Sequence, residues 1–159
     1  MITLKDISNA IINQTYSGLA NTTYNTVKFS STDIKVKITR PSLFLEFDSN
    51  RIGLFNANNK ERTLSAKVYY FPSDVSKFKI EDMEVQGYLE NIFLKYLVVN
   101  DTFVINITEI DFTITDGVLT CTMELYTVED ITNEVFADTA QSTVNDNTEN
   151  IEDLEININ

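Results

Sequence analysis

Residues 110–123 read IDFTITDGVLTCTM. Asp116–Gly117 at their centre is a strong hairpin signal, because the two-residue turns that match strand twist need residues tolerant of positive φ. With Thr115 set opposite Val118, Ile114 meets Leu119, Phe112 meets Cys121 and Ile110 meets Met123. Those six apolar residues then share one face, and Asp111, Thr113, Thr120 and Thr122 share the other. A slip of one residue would scatter the apolar set, so turn chemistry and pattern specify the same register. This hairpin fixes an antiparallel component in the fold. Upstream, Phe103, Ile105 and Ile107 suit a third strand of the same sheet.

Working outward, two helices are expected. The first spans about Thr3 to Leu19, with Thr3 as N-cap, Asp6 in the first turn and an apolar stripe of Leu4, Ile7, Ile11, Tyr16 and Leu19. The second opens with Glu81, Asp82 and Glu84, followed at helical spacing by Val85, Tyr88, Leu89, Ile92, Phe93, Tyr96 and Leu97. Between them lie β-like pieces at Thr26–Ser30 and Ile34–Thr39, a strand with Leu43, Leu45 and Phe47 inward, and a strand from Arg62 to Phe71 that Pro72 ends. The intervening SNRIGLFNANNKER is an extended hairpin or loop. The fold class is therefore α+β: an antiparallel or mixed sheet with two helices packed on it, plus an acidic C-terminal tail.

Charge is distributed unevenly. All 12 Lys and Arg lie at or before Lys95, against 10 carboxylates in that stretch, whereas the last 64 residues hold 14 carboxylates and no cation. After about Tyr126 the apolar alternation dissolves. The expected organisation is a domain over 1–126 and an acidic extension over 127–159 that is ordered only by partner contacts. Within the extension Leu154, Ile156 and Ile158 alternate, a pattern suited to a strand added to a partner's edge.

The inventory disfavours catalysis and cofactors. There is no His, and the single Cys121 falls on the apolar face of the hairpin, where a small core residue belongs. None of the four glycines sits in a phosphate-binding loop motif, no metal-ligand spacing occurs, and a calcium loop in 145–155 would lack its turn glycine. The carboxylates read as solvated surface charge. Lys28, Lys35, Lys37 and Arg40 form a local basic cluster, too small against the acidic total for specific nucleic-acid binding. No apolar run is long enough to span a membrane, and the N-terminus lacks a secretory pattern, so cytoplasmic synthesis is expected.

The order of landmarks resembles a known family. An N-terminal helix, RPSLFLEF at 40–47, a strand ending in VYYFPS at 68–73, an acid-started helix and ITDGVL at 114–119 together look like small tail-terminator (tail-completion) proteins. The likeness is to those of contractile phage tails and phage-tail-like bacteriocins of Gram-positive bacteria, and it covers roughly residues 1–126. It implies a homo-oligomeric ring, usually a hexamer, on the last ring of tail tube and sheath, with a head or neck protein as a further partner and no catalysis. The candidate subunit contacts are Arg40, Arg51, Lys35 and Lys37, with Glu152, Asp153, Leu154, Glu155 and Ile156 of the acidic extension. A neck or head–tail connector and a monomeric acidic adaptor are the alternatives.

Overall fold

The computed structural model describes residues 1–30 and 38–132. The elements run α1 (Leu4–Leu19), β1 (Lys28–Phe29), β2 (Ser42–Asn56), β3 (Asn59–Phe71), α2 (Lys79–Phe93), β4 (Tyr96–Asn100), β5 (Phe103–Thr115) and β6 (Val118–Asp130). The six strands form one sheet in the order β1-β2-β3-β6-β5-β4. Every pairing is antiparallel except β1 with β2, so the sheet is mixed and the fold is α+β as the sequence indicates.

The β5–β6 hairpin has the register that the apolar pattern specifies. Ile114 faces Leu119, Phe112 faces Cys121 and Ile110 faces Met123. Asp116 and Gly117 both take positive φ, 52° and 71°, which Gly adopts freely and Asp tolerates. A side chain at Gly117 would also press on the Phe78 ring.

Phe103, Ile105 and Ile107 do not form a separate strand; they are the first half of β5. A bulge between Ile107 and Glu109 inserts one residue and flips the strand's phase, so the inward set changes from Phe103, Ile105 and Ile107 to Ile110, Phe112 and Ile114. A second bulge does the same to β2 between Phe47 and Ser49, which moves the inward set from Leu43, Leu45 and Phe47 to Asn50, Ile52 and Leu54. Ser65 of β3 pairs with Glu124 of β6, and the two bulges lie opposite this pair, one on each side. The sheet is therefore creased along one row. Residues 49–62, expected as a hairpin or loop, are the long distal arm of the β2–β3 hairpin beyond that crease.

Both helices cover the same face. Leu64, Ala66, Val68 and Tyr70 of β3, Leu119, Cys121, Met123 and Leu125 of β6, and Ile105 are buried there against Ile7 and Ile11 of α1 and Val85, Leu89 and Phe93 of α2. Burying each such large apolar side chain contributes roughly 1.5–3 kcal/mol. The N-terminus of α1 carries a full capping box: Asp6 N–H donates to Thr3 Oγ1 at 3.2 Å, and Thr3 N–H donates to Asp6 Oδ2 at 2.9 Å. The helices approach closely at Gly18, where any added side chain would overlap Ile92.

The second helix is shorter than its apolar stripe. It ends at Phe93, and Tyr96 and Leu97 belong to β4. Tyr88 also faces outward. At the other end of the chain β6 continues to Asp130, four residues past Tyr126. Burial keeps alternating there through Thr127, Glu129 and Ile131, although Thr and Glu broke the apolar pattern in the sequence.

Candidate assembly surfaces

The two flanks of the sheet are β4 on one side and, beyond the two residues that β1 covers, β2 on the other. At β4, Gln14 of α1 satisfies the free edge with its side-chain amide. Val98 N–H donates to Gln14 Oε1 at 3.1 Å, while Gln14 Nε2 donates to Tyr96 O at 3.0 Å and to Ile92 O at 2.8 Å. One side chain thus joins α1, the end of α2 and the strand edge. Leu94, Tyr96, Val98 and Val104 remain exposed around it, giving this flank an apolar surface. The open groove between α1 and β4 is lined on its polar side by Asp6, Asn9, Asn13, Ser17, Asn91 and Lys95, among apolar residues of α1 and β4.

The β2 flank differs. Strand β1 pairs only with Ser42 and Leu43, and no other strand among the described residues pairs with the outer edge of β2. Ile52 and Leu54 lie 54% and 72% exposed beside this edge. An exposed edge of this length with apolar side chains is a template for pairing.

The distal arm is anchored by a buried polar cluster. Lys60 stands directly opposite Glu129, and Arg62 opposite Thr127, all turned toward the helical face. Lys60 Nζ lies 3.3 Å from Glu129 Oε1, close enough for an ion pair but poorly aligned for a hydrogen bond. Glu129 Oε2 accepts the Ile2 N–H at 2.8 Å, and Arg62 Nη2 donates to Ile2 O at 3.3 Å. Glu129 therefore pairs with the buried Lys60 and ties the start of α1 to the arm. Arg62 Nε and Nη1 have no hydrogen-bond partner among the described residues.

A second buried charge sits under α2. Both Asp82 carboxylate oxygens lack a hydrogen-bond partner among the described residues, and the residue is fully buried. Burial, then the adjacent Glu81 charge, push its pKa up to about 6, with Arg40 opposing. Glu81 is held below its ordinary value despite burial, because Ser73 and Tyr70 donate hydrogen bonds to it.

Of the candidate contacts, Arg51 is exposed on β2. Arg40 is engaged within its own subunit, donating to Pro72 O at 3.1 Å and lying over the Phe71 ring. Lys35, Lys37, Glu152, Asp153, Leu154, Glu155 and Ile156 lie outside the described residues, as does most of the piece expected at Ile34–Thr39. Sequence reasoning missed Gln14, Lys60, Arg62 and Glu129. The last three were readable in principle: Lys60 and Arg62 share the parity of Leu64, and Glu129 shares that of Leu125. Nothing local marks Gln14, whose partners lie at least 78 residues away.

Among the described residues no group of three or more His, Cys, Asp or Glu is placed to hold a metal ion, and no helix there is long and apolar enough to cross a membrane. Cys121 is buried against the sheet's core, and burial raises its thiol pKa to about 12, so it is a packing residue rather than a nucleophile. No curated protein matches the chain. Residues 6–136 match a family described as phage tail terminator protein. That match covers α2, all of α1 but its first two residues, the whole creased sheet and the first residues after β6, so the chain belongs to the phage tail terminator family and is a structural component of the phage tail.

Proposed function

We propose that the chain forms a homo-oligomeric ring, a hexamer by resemblance to its family, that caps a contractile tail tube and sheath and stops their polymerisation. The observation that carries this reading is the family match over residues 6–136, and the shape of the subunit is compatible with it. A closed ring needs heterologous contacts, in which two different surfaces of one subunit meet across each interface. The apolar β4 flank and the open β2 flank are unlike and lie at opposite edges of the sheet. In this reading Arg51 and the acidic segment Glu152–Ile156 contribute charged subunit contacts, tube and sheath proteins are the partners below, and a head or neck protein is the partner above. The domain ends with the sheet, and the acidic extension acts through partners.

Light scattering on the purified chain, alone and with tube protein, tests the reading. A sixfold mass, or a monomer that becomes a ring on meeting tube protein, is the expected result. A strict monomer that neither binds tube nor sheath protein nor alters tail length would overturn it.

A further inference from the structure

We propose that the buried polar cluster of the distal arm binds one small oxyanion, held by Lys60, Arg62 and Thr127 beside the backbone of Ile2. This goes beyond the structural role in the tail and does not depend on the ring, since the site lies inside one subunit and uses neither flank of the sheet. Three observations carry it.

The first is a group of donors with no acceptor. Lys60, Arg62 and Thr127 are 8%, 5% and 6% exposed. Lys60 Nζ, Arg62 Nε, Arg62 Nη1 and Thr127 Oγ1 are buried and have no hydrogen-bond partner among the described residues. Folded proteins pair roughly 90% or more of their buried polar groups, so four orphans in three neighbouring side chains point to a ligand. Strand register brings them together. Arg62 stands opposite Thr127, and Lys60, two residues along on the same face, stands opposite Glu129. Cross-strand neighbours lie about 5 Å apart and same-face neighbours along a strand about 7 Å. An ion accepting at about 2.8 Å from donors on either side fits that spacing.

The second is the sign of the charge. Lys60 and Arg62 bring two positive charges to the cluster and Glu129 brings one negative charge. The Glu129 carboxylate is already engaged: Oε2 accepts the Ile2 N–H at 2.8 Å, and Oε1 lies 3.3 Å from Lys60 Nζ. The neighbouring carboxylates are turned elsewhere, Glu61 accepting from the Tyr126 hydroxyl and Asp130 from Thr132. A water molecule would take hydrogen bonds from these donors and leave a buried positive charge uncompensated. An oxyanion does both. Phosphate or carboxylate presents several acceptor oxygens on one centre, which suits a guanidinium with five N–H donors.

The third is an entry route. The Ile2 backbone bonds to both sides of the cluster, its N–H donating to Glu129 and its carbonyl accepting from Arg62 Nη2 at 3.3 Å. Ile2 precedes Thr3, the N-cap of α1, so it can swing aside without unwinding the helix. Such an opening admits a small ion. Once bound, the ion fastens the start of α1 to the distal arm and stabilises the subunit by mass action.

Inorganic phosphate and acetate, each titrated into the full-length chain against sodium chloride of equal ionic strength, test the site. Urea unfolding and amide exchange read by mass spectrometry are the measurements. The expected result is a saturable response to at least one anion: exchange slowed several-fold around Ile2 and at 60–62 and 127–129, and an unfolding constant that falls about tenfold when the anion reaches about nine times its Kd. The anion with the lower Kd then identifies the preferred class. Thr127→Val keeps the size of the side chain and should weaken binding several-fold, and Arg62→Lys keeps the charge and should weaken it at least tenfold. A response that rises without saturating, protection spread evenly over the chain, or an affinity unchanged in both variants would overturn the proposal. If Arg62→Lys does not fold, Thr127→Val decides alone, and an unchanged Kd there overturns it.

Discussion

At the β4 edge the outer strand is five residues long, and the neighbouring helix reaches over to fill its hydrogen-bonding groups. At the β2 edge the outer strand is 15 residues long, β1 covers two of them, and its distal half carries Ile52 and Leu54 in the open. Both edges belong to one sheet and present the same backbone groups. They differ because α1 runs beside β4 and packs on it, whereas only the start of α1 reaches the arm, through Ile2 and the Glu129 cluster. An edge is sealed where a helix side chain is in register with it. Where none is, the edge is left for another segment or another molecule.

The largest expected effect breaks the anchor of the open side. Glu129→Ala leaves Lys60 buried without its carboxylate and removes the acceptor of the Ile2 amide, and losing one partner of such a buried pair costs about 3–5 kcal/mol. Urea unfolding should report that loss, and amide exchange should rise first in the distal arm.

A substitution remote from both edges serves as the reference. Asp82 has a folded pKa raised to about 6, above its unfolded value, so the native state binds the extra proton between about pH 4 and 6. Stability from this group is therefore present at low pH and lost as pH rises through that window. Asp82→Asn should stabilise the protein by up to about 3 kcal/mol at pH 7 and by little at pH 4. Denaturation midpoints across pH 4–8 check both the sign and the window.

Gln14→Leu tests the sealed side. It removes three hydrogen bonds, worth about 2 kcal/mol together, and should speed exchange of the Val98 amide while leaving the β2 edge unchanged. The smallest stability effect belongs to the open side: Leu54→Lys, at a site 72% exposed, should move unfolding by less than about 0.5 kcal/mol. Sedimentation of the same variant should show weaker self-association, which sharpens the contrast between an edge that supports the fold and one that supports contacts.

Much of this was legible in the sequence where the signal is local. Thr3 and Asp6 cap α1 within one turn, Pro72 ends β3, and Asp116–Gly117 sets the hairpin register over a few residues. The two bulges were visible only as a change in which residues are apolar. In β5 the apolar set moves from odd to even positions across Thr108, and that phase shift was mistaken for a gap between strands. The overrun of α2 has a similar cause. Tyr96 and Leu97 continue a helical spacing by coincidence, and only their pairing with Asn106 and Ile105 makes them strand.

By itself the sequence determined the α+β class, the hairpin register, the helix start at Thr3 and the charge asymmetry, because each follows from neighbours within a turn or a strand pair. Tertiary structure alone decided that Lys60 meets Glu129 and that Arg62 reaches Ile2, that Asp82 is enclosed, and that Gln14 seals one edge while the distal edge of β2 has no strand partner among the described residues. Those outcomes depend on contacts between residues tens of positions apart, and a residue type carries no mark of which distant partner will cover it.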